Sequence, residues 1–163
     1  MKKIGLLSDT HGCFDEKLRN FFVDVDEIWH AGDIGSIEIS DEITNFKPLR
    51  AVFGNCDGAD VRVAHPVMQR FSVEDVDVLM THIGGYPNRY EPKILEILKQ
   101  NPPKLFISGH SHILKVIYDK TFDLLHINSG AAGIYGFHTV RTAVRFILEN
   151  GTIKDLEIGE WEK

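Results

Sequence analysis

The sequence predicts an α/β fold in which two β-sheets pack face to face with helices on the outside. Strands and helices alternate through the first third of the chain, a tight hairpin sits in the middle, and the last third is rich in strands. Residues 3–8 form a short buried strand, and residues 16–23 a helix carrying Leu18, Phe21 and Phe22. Strand returns at 27–30, helix at 37–46 and strand at 50–53. That βαβαβ order implies parallel strands joined by right-handed crossovers. Residues 68–73 and 76–81 flank Glu74-Asp75 as an antiparallel hairpin. A helix over 92–100 has Ile94, Leu95 and Leu98 on one face and Pro92 in its first turn, where a missing N–H is tolerated. A strand over 104–108 leads into Gly109-His110-Ser111-His112, and strands follow over 114–118, 124–128, 140–148 and 153–158. Asn150-Gly151 suits the tight turn between the last two.

With 163 residues, 43% of them hydrophobic, residues 1–163 are expected to form a single domain with a sizeable core. No stretch reaches the length of a membrane span. Met1-Lys2-Lys3 resembles the start of a signal peptide, but a strand ending in Asp9 follows instead of an apolar region with a cleavage site, so a cytoplasmic location is expected. A net charge of −6 argues against strong binding along nucleic acid, where clustered Lys and Arg carry the affinity. It leaves nucleotides and small phosphoesters open, because bound cations reverse a local field. Cys13 and Cys56 do not make a disulfide framework; both fall in or beside the motifs described next and are expected near the site.

Five short motifs place seven metal-ligating side chains after predicted strands: Asp9-Thr10-His11, Gly32-Asp33, Gly54-Asn55, Thr81-His82 and Gly109-His110-Ser111-His112. Ligand sites in α/β sheets collect at the carboxyl ends of strands, where loops from neighbouring strands converge. Glycines at 12, 32, 54 and 109 permit tight turns and close backbone approach there. The ligands mix carboxylate oxygen, amide oxygen and imidazole nitrogen. Such a set suits Mn, Fe, Zn, Co or Ni better than Mg or Ca, which favour oxygen alone.

Taken together, Asp9-x-His11, Gly32-Asp33, Gly54-Asn55-Cys56-Asp57, His82 and Gly109-His110-Ser111-His112 resemble the signature of the calcineurin-like metallophosphoesterases, over residues 3 to about 157. The small single-domain phosphodiesterases are the branch most like it, in length, in the Cys after Gly-Asn and in the Asn128-Ser129-Gly130 turn. The resemblance implies a four-layer α/β/β/α sandwich of two mixed sheets flanked by helices. It also implies two divalent transition-metal ions, Mn first, with Ni, Zn, Fe or Co as alternatives. One ion would be held by Asp9, His11, Asp33 and His112. The other would be held by Asp33, Asn55, His82 and His110, with Asp33 bridging. Asp33, Asn55, Cys56, Asp57 and His82 are the residues expected to serve catalysis directly.

The expected reaction is in-line hydrolysis of a small phosphodiester by a hydroxide bridging the metals, since metal binding lowers the pKa of water from 15.7 toward about 7. Many relatives carry His where this chain has Cys56, and a thiol, with a reference pKa of about 8.5, is a poorer proton donor. A preference for good leaving groups is therefore expected, with His138 or a metal-bound water as other acids. Two further readings stay open. One is a phosphomonoesterase or nucleotidase, which needs cations such as Arg89 and Arg141 for a dianion. The other is a metal-binding interaction scaffold like the small retromer subunit, which shares the fold but has lost part of the ligand set. No membrane partner is expected, and a homo-oligomer is compatible with the edge offered by the C-terminal strands.

Other residues have plainer readings. Asp9 and Asp33 also suit helix N-caps, and Asn55 suits a turn. His30 is expected either to orient Asp33 or to pair with backbone, His65 to lie at the surface, and His126 to pack. Tyr86 and Arg89 are expected to border the substrate pocket, Trp29 to pack in the core, and Trp161 to lie exposed or against a partner.

Overall fold

The computed structural model describes residues 1–163. Its elements are β1 (Lys2–Leu7), α1 (Glu16–Phe21), β2 (Glu27–His30), α2 (Ile37–Phe46), β3 (Leu49–Ala51), α3 (Ala59–Ala64), β4 (Met68–Val73), β5 (Val76–Thr81), α4 (Pro92–Gln100), β6 (Leu105–Ser108), β7 (Leu114–Asp119), β8 (Leu124–Ser129), β9 (Val140–Glu149) and β10 (Thr152–Glu162). One five-stranded sheet has the order β10-β9-β1-β2-β3 and the other β4-β5-β6-β8-β7. β1, β2 and β3 run parallel, while β9 and β10 add antiparallel strands. In the second sheet β5, β6 and β8 are parallel and β4 and β7 are antiparallel edges.

The period-two alternation of strands divides the apolar side chains between three layers. Ile4 and Leu6 of β1, Trp29 of β2 and Val144, Phe146 and Leu148 of β9 meet Val76, Val78, Met80, Leu105, Ile107 and Ile127 from the facing sheet. The intervening residues point outward. Leu7, Ile28 and Ala143 pack under Leu18, Phe22 and Ile43 of the α1 and α2 layer. Leu79, Phe106 and Leu124 pack under Ile94 and Leu98 of α4. Helices therefore cover both outer faces, and the four-layer α/β/β/α sandwich is the observed architecture. Burying each of the Val, Leu, Ile, Phe and Met side chains stabilises the fold by about 1.5–3 kcal/mol.

The helix starts have local causes. The Asp15 carboxylate accepts the Leu18 N–H, and the Ser36 hydroxyl accepts the Ile39 N–H. Asp9 and Asp33 are not caps. Several elements differ from expectation; α1, for one, stops at Phe21 and not at residue 23. α3 was not anticipated: it is short, and Gly58 gives it no side-chain cap. β3 begins one residue earlier and ends at Ala51, where the chain turns toward Gly54. β10 runs on to Glu162 past a shift in register between Lys154 and Glu157, because an exposed edge strand needs little apolar alternation. Trp29 is fully buried, and its indole N–H donates to Glu27. Trp161 packs edge-on against Phe21, with ring centroids 5.4 Å apart.

Candidate metal centre

Asp9 and His11 follow β1, Asp33 follows β2, Asn55 follows β3, His82 follows β5, and His110 and His112 follow β6. The two sheets bring these loops to one edge. Asp9, His11 and His112 form one group whose ligand atoms lie within 4.8 Å of one another, and Asp33, His82 and His110 form another. His11, Asp33 and Cys56 form a third, so Asp33 and His11 sit between the two ends. His112 Nε2 is 3.2 Å from Asp9 Oδ1, and His82 Nε2 is 3.2 Å from Asp33 Oδ2. His11 Nε2 lies 3.8 Å from Asp9 Oδ1 and 3.6 Å from Asp33 Oδ2. Asn55 Oδ1 is 3.1 Å from His110 Nδ1.

Two buried atoms in this cluster make no hydrogen bond, Asp9 Oδ1 and His82 Nε2. An unpartnered carboxylate oxygen beside an unpartnered imidazole nitrogen is costly in a protein interior. A divalent cation is the partner both can accept, so the residues fit a metal. The ring tautomers agree. His82 Nδ1–H donates to the Ala31 carbonyl at 2.8 Å, which makes Nε2 the nitrogen that faces the cluster. His138 Nε2–H donates to the Gly133 carbonyl at 2.8 Å, so its Nδ1 accepts from His112 Nδ1–H at 3.2 Å. His112 Nε2 then also faces the cluster as a lone pair.

Electrostatics hold both carboxylates ionised. Burial alone would raise the Asp33 carboxyl, but His82, the Cys56 N–H and His11 outweigh it and keep it well below the usual carboxylate range. Asp9 is lowered in the same way: burial opposes ionisation, while His112, His82 and Ser8 favour it. Burial also works against a charge on His82, and Asp33 and Asp9 reverse that, raising it.

The backbone here is strained. Asp9, His11, Asp33, His110 and His112 all have positive φ, between 43° and 71°. That is five of the seven expected ligands, at about 1–3 kcal/mol each for a residue with a Cβ. The surrounding hydrogen bonds hold them there. The Ser8 hydroxyl and the His110 N–H both donate to Asp9 Oδ2, at 2.6 and 3.1 Å. The Cys56 N–H donates to Asp33 Oδ1 at 2.9 Å. Gly54 presses so close that a Cβ on it would fall 2.1 Å from that same oxygen.

Several residues have parts that the sequence does not announce. Asp57, expected in catalysis, is buried, and its carboxylate accepts backbone N–H groups of Ile34, Gly35 and Gly54. It ties the loop after β2 to the loop after β3. Arg62 of the unanticipated α3 donates to the Asp57 and Asn55 carbonyls. Asn128 donates to the Gly109 carbonyl and to Ser111, bracing the 109–112 loop. His30 accepts the Gly32 N–H at Nδ1 and donates from Nε2 to Thr10, whose hydroxyl donates to the Ile34 carbonyl. It joins the first two ligand loops, and burial lowers its pKa to about 4.

Arg141 is not available to a substrate. It is buried, forms a two-pronged ion pair with Asp15 and donates to the Ala132 carbonyl. Cys13 Sγ lies 3.6 Å from its guanidinium and is not among the clustered ligand atoms. Cys13 and Cys56 are free thiols. Tyr86 and Arg89 do border the site: with Lys115 they line a cleft bounded by His110. His65 is only half-buried, bonded to Ser40, and His126 packs on the Phe106 ring. No helix is long and apolar enough to cross a membrane.

The model of the calcineurin-like phosphoesterase superfamily domain matches residues 1–151. A probable metallophosphoesterase of Methanothermobacter thermautotrophicus is 31% identical over 114 residues, covering 67% of this chain and 66% of that protein. The chain spans about two thirds of the length of the curated relatives it matches. Among solved structures, a novel archaeal phosphodiesterase superposes with a TM-score of 0.73 at 24% identity over 99% of each chain. Vps29 of Chaetomium thermophilum superposes with a TM-score of 0.75 at 16% identity over 100% of each. At these identities the structural likeness speaks for the fold alone. Motifs, architecture and family match agree: the chain belongs to the calcineurin-like phosphoesterase superfamily.

Proposed function

We propose that this chain is a phosphodiesterase that hydrolyses small phosphodiesters at a two-metal centre. The observation that carries this is the buried, unpartnered pair Asp9 Oδ1 and His82 Nε2 within a cluster that opens to solvent on both sides of His110. Asp9, His11 and His112 would hold one ion, and Asn55, His82 and His110 the other, with Asp33 contributing to both. Bound there, divalent cations would lower the pKa of a water toward about 7 and draw charge from the phosphate oxygens. The mixed oxygen and nitrogen donors suit Mn, with Ni, Zn, Fe or Co as alternatives.

The protein's own groups do the rest. Asp33, locked by Cys56 N–H and crowded by Gly54, sets the spacing between the two halves of the cluster. His138, its Nε2–H spent on Gly133, holds the His112 tautomer and is no proton donor to a leaving group. Burial, then the charge of Asp33, raises the Cys56 thiol above its ordinary value, which makes it a weaker acid still. Rates should therefore depend steeply on leaving-group pKa. Arg141 being occupied, the cations bordering the cluster are Arg89 and Lys115 on one side and Arg62, already bonded to the Asp57 and Asn55 carbonyls, beside Asn55 and His82. That favours a singly charged diester over a dianionic monoester. Two free thiols accord with a reducing compartment such as the cytoplasm.

The test is hydrolysis of a bis-aryl phosphodiester against the matching aryl monoester. The protein would be stripped and reloaded separately with Mn, Ni, Co, Zn, Fe(II) or Mg, with Asp33→Ala as control. Metal-dependent diester cleavage that exceeds monoester cleavage and is lost in the control is the expected result. Faster monoester cleavage overturns the diester assignment. Stoichiometric metal binding without turnover of either substrate favours the scaffold reading.

A further inference from the structure

The cluster opens on two sides of His110, and the two sides differ in chemistry. One is polar, bordered by Tyr86, Arg89, Glu91 and Lys115. The other is a cleft of about 850 Å³ between Ile113 and the 134–138 loop, floored by His110 and His112. No Lys, Arg, Asp or Glu is among its lining residues; the Lys163 ammonium lies behind the loop, donating to the Gly136 carbonyl at 2.6 Å. Ile113, Ile134, Tyr135 and Phe137 are all exposed there, Phe137 completely. Single exposed apolar residues are ordinary, but four grouped around the mouth of a polar site are not.

The aromatic loop is fixed to the cluster. Gly136 has φ +129°, and a Cβ on it would lie 2.4 Å from His112 Nδ1 and 3.0 Å from His138 Nδ1. The loop backbone thus rests on the rings that orient His112, with Tyr135 and Phe137 on either side. The Tyr135 ring centroid is 5.0 Å from that of His11. A group lying in this cleft would be held beside the ligand nitrogens, within reach of a phosphorus at the cluster.

We infer that the cleft between Ile113 and the 134–138 loop is the subsite for one ester substituent of the substrate, and that it takes an uncharged aromatic ring. The inference rests on the phosphodiesterase reading for the identity of that substituent. Apolar and aromatic walls gain from burying a flat ring against their edges and faces. A charged substituent would lose its hydration among these apolar walls, where the nearby Lys163 ammonium is already spent on Gly136, and is directed instead to the Arg89 and Lys115 side. Continuity with His110 and His112 makes the substrate, and not a second copy of the chain, the occupant.

The experiment uses two monoanions that mimic a diester but carry only inert carbon–phosphorus bonds, dimethylphosphinate and methylphenylphosphinate. Their binding to the Mn-loaded protein is measured by calorimetry. The phenyl compound should bind about tenfold more tightly. Replacing both Tyr135→Ala and Phe137→Ala should bring the ratio close to one, while Tyr135→Phe retains it. Both residues are exposed, so folding is not at stake. Equal binding of the two compounds overturns the inference, as does a ratio that the double substitution leaves unmoved. If the double substitution instead converts a dimer to a monomer with the ratio unchanged, the patch is a subunit interface. Because the probes are never hydrolysed, an intact, Tyr135-dependent ratio in a protein that cleaves no diester would sink the phosphodiesterase reading and leave the aromatic subsite standing.

Discussion

His82 directly follows β5 and His126 lies in β8 of the same sheet, and their rings are set up in the same way. Each is buried, each donates Nδ1–H to a backbone carbonyl (Ala31 and Phe106), and each leaves Nε2 without a hydrogen bond. Their surroundings differ. His82 stands at the strand end with Asp33 Oδ2 at 3.2 Å and Asp9 Oδ1 at 3.8 Å. His126 lies mid-strand, stacked on Phe106 at 5.3 Å between centroids. The carboxylates raise the pKa of His82, while burial lowers that of His126 to about 4. An unpartnered imidazole nitrogen is therefore not by itself a metal ligand. It becomes one where anionic oxygens share the space, and those gather where the loops converge at the sheet edge.

The sharpest way to break this contrast is to remove the shared carboxylate. Asp33→Ala should lower diesterase turnover by about a thousandfold or more, with metal content falling by elemental analysis. A variant retaining full metal and activity would end the assignment of Asp33. Next comes the histidine pair itself. His82→Ala should weaken binding of the more loosely held metal by about a hundredfold or more, measured by competition with a chelator. His126→Ala should leave that affinity within about twofold and cost stability instead, through the cavity it opens. Equal effects on metal binding from both would show that proximity to Asp9 and Asp33 is not what distinguishes them.

The same contrast explains how much was legible beforehand. Candidate ligands are marked by residue type and by position after a strand, so Asp9, His11, Asp33, Asn55, His82, His110 and His112 could be proposed one motif at a time, and the fold brings them to one edge. The sandwich was legible because strand alternation and turn residues are local signals. What escaped depends on partners far away in the chain. Nothing near Arg141 reveals that Asp15, 126 residues earlier, takes its guanidinium out of reach of a substrate. Asp57 sits inside a catalytic-looking motif, yet its carboxylate is spent on backbone N–H groups of another loop, a use with no residue signature. The α3 helix is too short to display a period, although its Arg62 steadies Asn55. The left-handed backbone at five of the proposed ligands runs against their intrinsic preference, and only the assembled loops explain it.

A smaller effect would show whether His138 acts through His112. With Nε2–H committed to Gly133, its free Nδ1 fixes which nitrogen of His112 faces Asp9. His138→Ala should weaken metal binding by about ten- to a hundredfold, as loss of a residue that orients a ligand does. His138→Asn, which can still offer an oxygen acceptor, should recover part of it. A drop in turnover with unchanged metal affinity, together with a lost alkaline limb in the pH profile, would instead make His138 the proton donor.

The smallest expected effect concerns stability, and it separates His126 from the centre entirely. Its folded pKa of about 4 lies below the ordinary value of 6.5 because burial disfavours the charged ring, with Lys115 adding to that and the Phe106 carbonyl and Asp119 opposing it. Between those two values the unfolded chain takes up a proton that the folded chain does not. Acid therefore favours unfolding: this contribution is intact above pH 6.5 and is lost as the pH falls toward 4. For one group the loss between pH 7 and pH 5 is about 2 kcal/mol. His126→Asn keeps an N–H for Phe106 and has no proton to gain. Urea melts at the two pH values should show wild-type stability falling by about that amount more than the variant's. Parallel losses in both proteins would mean that the ring is hydrated or already protonated in the fold. The contrast with His82 would then rest on the carboxylates alone.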